Sequence, residues 1–402
     1  MSTFRNEPTG MKRSAEEASL HDNNASSSAR DHQQQSFSSD RAVILPMNLI
    51  IGSILPYVKD RSTWNNLCVA NKVLRQAGRT ITPPWPETTL ELVQNLAMVL
   101  QFSPCGDYLA LARVRGTRSS SFVQILDRRN GQQTRLCAIN EEDTLCLSFS
   151  GDGKYLASGG TDKLIQIWPT NSTTKRPTPQ SSKTLRHHQH KLQCLAFAAS
   201  DSNILASGSD GEIKIWNVRD EECRHTVDHQ HGSPSSLVFS GVGEKIQCLA
   251  ATTDGSLIRI RWNRNHSEFT SDVIVDGATR FLNSVFSHCG SFLATIDLMN
   301  KLCLYDIKSE GGMSLAHSVT LSSYCILKTN AGMAFSRDSK TLAVISQHDD
   351  TVVRLLDVKD MTLQRKLKWK LRGFFPVSLA IGPGSRYLAT ACSDGRVRLW
   401  TI

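Results

Sequence analysis

The period of the apolar positions changes near residue 88. Residues 1–40 have almost none: Ser, Gln, Asn and charged residues dominate. A segment that buries so little apolar surface cannot offset its ordering entropy, so residues 1–42 are expected to be a disordered tail. Between 43 and 82 the spacing is helical. Leu45, Leu49, Ile50, Ile54 and Leu55 recur near every third or fourth residue. A second helix is expected from Asp60 or Ser62 through WNNLCVANKVLRQA, ending at Gly78. TPPWP (82–86) then breaks any helix and reads as a stiff connector. From residue 88 onward, short strand-like runs alternate with turn residues to the end.

Within this β region one short phrase recurs: LASGGTDKLIQIW (156–168), LASGSDGEIKIWNV (205–218) and LATACSDGRVRLW (388–400). Two markers count the repeats. An apolar anchor falls at Phe102, Phe149, Phe197, Phe239, Phe286, Phe335 and Ile381, spaced by 42 to 49 residues. A bulky residue closing a later strand falls at Leu126, Trp168, Trp216, Trp262, Tyr305, Leu356 and Trp400. Two markers in step seven times, with four strands per unit, predict seven propeller blades over residues 83–402. In the clearest unit, ILASGS is kept small so that neighbouring blades can approach. Asp210-Gly211 forms the tight turn that follows, where Gly supplies positive φ. The chain stops two residues past Trp400, so the seventh unit has three strands of its own. The segment 88–93 is expected to supply the fourth and close the ring.

Composition adds little to this picture. Of 402 residues, 40% are apolar and 21% charged, which is ordinary for a soluble globular chain. The net charge of +9 is mildly basic. Eleven cysteines stand singly with no C-x-x-C pair, and no signal-peptide pattern opens the chain. A reducing compartment, cytoplasmic and/or nuclear, is therefore expected. The run AVILPMNLIIGSIL (42–55) is too short for a bilayer, so no membrane partner is expected.

The repeat resembles the WD-repeat (WD40) family residue by residue. In that family a His, a Ser or Thr, a turn Asp and a Trp form a buried polar chain. The positions that match here are His188, Ser207, Asp210 and Trp216. Turn acids recur at Asp162, Asp254, Asp350 and Asp394, while Asn300 replaces one, and no Trp-Asp dipeptide occurs. The resemblance implies an all-β, seven-bladed WD40-type propeller that serves as a protein-interaction scaffold.

The segment 45–75 resembles an F-box. Leu45-Pro46, Leu49, Ile50, Ile54, Leu55, Val58 and Val69 match its pattern; Trp64 and Leu67 lie on the same helical face. Two positions depart: Val73 stands where a Trp is usual and Thr63 where a Leu is usual. An F-box implies docking to a Skp-type adaptor of a cullin–RING ubiquitin ligase, with a substrate protein held by the propeller. The alternative is a general WD40 scaffold whose N-terminal helices cap the propeller.

Other chemistry is weighed against plain structure. The histidines of HHQH (187–190), with His225, His229 and His231, suggest a metal cluster, but their spacing is irregular; no metal or cofactor is expected. No GxSxG, Walker loop or HExxH occurs, so no enzyme is expected. Two basic groups remain as candidate partner-binding residues: Arg113, Arg115 and Arg118 in the first unit, and Lys366, Lys368, Lys370 and Arg372 in RKLKWKLR. They would suit an acidic or phosphorylated ligand. The plainer readings are a solvated loop and an outer strand whose lysines discourage edge pairing. No nucleic-acid partner is expected.

Overall fold

The computed structural model describes residues 88–91, 97–113, 122–128, 133–137, 142–170, 183–241, 245–263, 269–277, 279–308, 312–321, 332–345, 351–368 and 375–402. All belong to one of the chain's two compact units, 44–402. The expected tail (1–42) and F-box-like helices (43–82) lie outside the described residues, and with them every residue from Leu45 to Val69 named above.

Strands account for almost all regular structure among the described residues. The exception is one 3-10 turn at Pro383–Ser385. The strands form seven antiparallel sheets of four. Six sheets take their strands in sequence: 97–137, 144–185, 192–228, 234–275, 281–320 and 333–368. The seventh joins three strands of 376–401 to Thr88–Glu91. First strands of successive sheets lie side by side, and that of the seventh lies beside that of the first. The sheets are thus the blades of a closed seven-bladed propeller, with first strands innermost.

The markers define a layer across each blade. Phe149 lies opposite Leu156, which lies opposite Trp168. Phe197, Leu205 and Trp216 repeat the row in blade 3. Ile381, Leu388 and Trp400 repeat it in blade 7. Residues opposite one another on antiparallel strands share a face, so each row presents one bulky ridge to the neighbouring blade. Trp168, Trp216 and Trp400 are at most 1% exposed. Blade 4 departs from this pattern. There the row is Phe239, Cys248 and Ile260. Trp262 moves one step outward, opposite Ile246, and meets Phe239 edge-on at 5.7 Å.

Small residues let the blades approach. A Cβ on Gly208 would stand 2.7 Å from Cys194 Sγ and 2.8 Å from Pro234 Cβ in the next blade. Both are closer than real Cβ contacts allow, so glycine is required there.

A second module repeats at the turn after the first strand in blades 1, 2, 5 and 6. Ser150 receives the Tyr155 amide on its Oγ at 2.9 Å, and its own amide donates to the Tyr155 carbonyl at 2.9 Å. Ser103, Ser287 and Ser336 make the same pair of bonds to Tyr108, Phe292 and Thr341. Each serine is fully buried. Each satisfies backbone groups that a turn at the channel end would otherwise orphan. Gly153 at φ 71° closes the turn by donating to the Ser150 carbonyl.

Closure is by register. Thr88, Thr89, Leu90 and Glu91 pair with Leu399, Arg398, Val397 and Arg396. The third strand of blade 7 therefore presents no open edge.

Candidate partner-binding face

In a four-stranded antiparallel blade, the turn between second and third strands lies at the same end as the loop entering the first strand. Where they are described, these loops lie at one face of the ring. Blades 2, 3 and 7 show how that face is built.

In blade 3 a hydrogen-bond series runs from the core to the face. Trp216 Nε1 donates to Ser207 Oγ at 2.7 Å. Ser207 Oγ lies 2.6 Å from His188 Nε2, and His188 Nδ1 lies 2.8 Å from Glu212 Oε1. One proton order satisfies all of them: Ser207 donates to Nε2, and Nδ1 donates to the carboxylate. The Ser209 hydroxyl and the Gln189 amide also donate to Glu212 Oε1, both at 2.9 Å. Lys214 Nζ completes the set 2.8 Å from Oε2.

Burial lowers the His188 pKa against the opposing pull of Glu212, so the ring is neutral at pH 7. Burial would raise Glu212, but Lys214, the Gln189 amide, His188 and Ser209 outweigh it and hold the carboxyl at about 2. The site is a fully satisfied polar network that ties the entry loop of blade 3 to its turn.

His188, Ser207 and Trp216 stand in this one series. Asp210 does not. Its Oδ1 receives the Ser233 hydroxyl from the next entry loop, and Glu212, two residues on, holds the carboxylate position beside His188. The two-residue turn leaves Asp210 at the tip, while Glu212 opens the third strand opposite Ser209. A signal was present in the sequence: EIKIW puts an acid two residues before the lysine that neutralises it.

Blade 4 uses a related pair. His231 Nδ1 lies 3.1 Å from Ser256 Oγ and 3.5 Å from Asp254 Oδ2. Burial would raise Asp254, but the Thr252 hydroxyl, the Gly232 amide and the Ser256 amide and hydroxyl hold it at about 2. In blade 7, Trp400 Nε1 donates to Thr390 Oγ1 at 2.9 Å, and Arg398 clasps Asp394 at 2.5 and 3.2 Å. In blade 2, Trp168 Nε1 donates to Ser158 Oγ at 3.1 Å.

Of the basic candidates, Arg113, Lys366 and Lys368 lie among the described residues. Arg113 ends the second strand of blade 1, and Arg115 and Arg118 lie outside the described residues. Lys366 and Lys368 are exposed on the outer strand of blade 6, flanking the buried Leu367; Lys370 and Arg372 lie outside the described residues. Blade 7 stands between the two groups. Among the described residues no three His, Cys, Asp or Glu side chains converge to hold a metal ion. No helix of the described residues is long and apolar enough to cross a membrane.

Comparison with known proteins agrees with this geometry. Three segments match the family model described as WD domain, G-beta repeat: residues 136–169, 179–217 and 365–401. They end in the three blades whose tryptophan donates to a second-strand hydroxyl. A chain of the mitotic checkpoint complex has a similar fold, with TM-score 0.59 and 18% identity over 80% of this chain and 93% of that one. So has the Cps50 (Swd1) β-propeller domain of Myceliophteria thermophila, with TM-score 0.59 and 15% identity over 79% and 99%. No curated protein matches the sequence. The chain carries WD40 repeats within a seven-bladed propeller.

Proposed function

We propose that this chain is a non-catalytic substrate receptor of a cullin–RING ubiquitin ligase, acting in the cytoplasm and/or nucleus. The propeller holds a substrate protein, and residues 45–69 dock a Skp-type adaptor. The observation that carries the scaffold part is the division of labour in blade 3. His188, Ser207, Glu212 and Trp216 spend their chemistry on one another, within the ring. The loops around them differ in length and charge from blade to blade, which suits recognition of a partner on a rigid frame. The adaptor part rests on Leu45-Pro46, Leu49, Ile50, Ile54, Leu55, Val58 and Val69. Ubiquitin transfer would be promoted by proximity alone, through a raised effective concentration of the target lysine.

The competing reading is a scaffold subunit of another assembly, with the N-terminal helices as a cap. Its support is that one similar fold comes from a checkpoint complex. Affinity purification of the full chain beside a form lacking residues 1–80 separates the two. A Skp-type adaptor should co-purify with the full chain alone and be lost on Leu49→Asp with Ile54→Asp. Adaptor-free purification, with a propeller destabilised by the truncation, favours the cap.

A further inference from the structure

The seam between blades 2 and 3 opens into a cleft of about 290 Å³. Blade 2 lines it with Tyr155, where its second strand begins, and Lys183, where its outer strand begins. Blade 3 lines it with Asn203, near the start of its second strand, and with Val218 and Arg219, just past its third. Second and fourth strands start, and third strands end, away from the turns between second and third strands. The cleft is therefore at the end of the ring opposite the loop face.

Contacts within the chain fix its frame. Lys183 Nζ crosses the seam and donates to the Val218 and Arg219 carbonyls at 3.2 and 2.8 Å. The Val218 amide donates to the Asn203 carbonyl at 2.8 Å, and the Arg219 amide to Asn217 Oδ1 at 3.0 Å. The acids beside Arg219 are already paired. Asp220 and Glu222 lie 3.0 and 3.4 Å from Arg224, and Glu221 lies 3.6 Å from Lys183. Three side chains are left over. Among the described residues, the Arg219 guanidinium, the Tyr155 hydroxyl and the Asn203 side-chain amide have no hydrogen-bond or ion-pair partner. Buried Val218 adds apolar surface between them.

A guanidinium stays charged and offers a planar fork that fits the two oxygens of a carboxylate. Lys183 has its counter-charge in Glu221, so the lining residues carry one uncompensated positive charge, that of Arg219. One carboxylate matches it. A phosphate dianion exceeds it, and a cationic group meets it as a like charge. A cleft this small suits one side chain and not a folded surface. We propose that the cleft takes the carboxylate of an acidic side chain from a bound protein segment, with Arg219 as its counter-ion and Tyr155 and Asn203 as further donors. The inference rests on the scaffold reading for the source of the carboxylate and needs nothing from the adaptor segment.

The test uses the full chain with valine methyl groups labelled for NMR and N-acetyl-glutamate N-methylamide as probe. Saturable shifts of the Val218 methyl signals are expected, weakening as salt is raised. The neutral glutamine analogue should give none, and the phosphoserine analogue should bind no more tightly than the glutamate. Arg219→Gln removes the charge from an exposed side chain and should weaken binding about tenfold or more. Arg219→Lys keeps the charge without the fork and should recover part of that loss. The proposal falls if the glutamate probe gives no saturable shift, if the glutamine analogue shifts the same signals, if phosphoserine binds more tightly, or if Arg219→Gln binds as wild type. Adaptor capture is read separately, so either conclusion can fail without the other.

Discussion

Glu212 Oε1 lies 2.8 Å from His188 Nδ1, joining residues 24 apart in the chain at the loop face of blade 3. Glu212 is also the partner of Lys214, whose side chain is 9% exposed. Removing the carboxylate takes the counter-charge from that buried ammonium, leaving it the Thr226 hydroxyl at 3.3 Å, and leaves His188 Nδ1 only the Ser209 hydroxyl at 2.9 Å. Glu212→Ala should therefore cost about 3–5 kcal/mol. Asp210→Ala, which loses only the half-buried bond from Ser233, should cost about 1 kcal/mol. Denaturant midpoints of the two variants check the order, and equal costs would contradict it.

The same pair makes stability depend on pH. The folded pKa of His188 is below its ordinary 6.5, so below that pH the unfolded chain binds more protons and stability falls. His225, His229 and His288 are shifted the same way, chiefly by burial, and act in the same window. Glu212 falls from 4.5 to about 2, so its share is present above 4.5 and lost as pH drops toward 2. Thermal midpoints should decline on acidification in two stages. His188→Gln should make the first stage shallower, with His225, His229 and His288 supplying what remains. A variant as steep as wild type near pH 6 would remove His188 from the account.

Ring closure depends on four residue pairs, Thr88 to Glu91 against Leu399 to Arg396. A chain beginning at residue 92 keeps every other blade strand and exposes the third strand of blade 7 as an edge. It should melt several degrees lower than a chain beginning at residue 81, at roughly 2–4 °C per kcal/mol lost. It should also self-associate, because an open edge recruits another strand. Calorimetry with light scattering measures both.

Cys289 is exposed at the turn after the first strand of blade 5. Burial alone would raise its pKa. The hydroxyls of Ser287, Ser339 and Ser291 outweigh that and bring it to about 7. Cys146, Cys194 and Cys248 are buried and pushed upward. At neutral pH, iodoacetamide should therefore modify Cys289 well ahead of those three. Ser339→Ala, which removes a hydroxyl 3.4 Å from the sulfur, should shift its labelling profile to higher pH. Mass spectrometry of the labelled peptides reads both effects.

Seven blades were legible because the ring repeats one local solution. An anchor such as Phe149 and a ridge such as Trp168 must recur wherever a blade meets the next, and their spacing survives when the dipeptides do not. The buried turn serines Ser103, Ser150, Ser287 and Ser336 recur in four of the blades. They pass unnoticed in sequence because serine in a turn is common, and only burial distinguishes these. The basic groups looked alike in sequence, but Arg113 and Lys366 belong to blades with another blade between them.

By itself the sequence determined how many blades form and which residues fill the seams between them, since both follow from apolar spacing along one chain. Only the tertiary structure decided which acid serves His188. Asp210 and Glu212 are two residues apart and both end in a carboxyl group. Their roles differ because the turn sends one toward Ser233 of the next loop and the other into a buried slot already holding Lys214. The spacing of Glu212 and Lys214 hints at the second role, but where the neighbouring loop brings Ser233 is set by the packing of the blades alone.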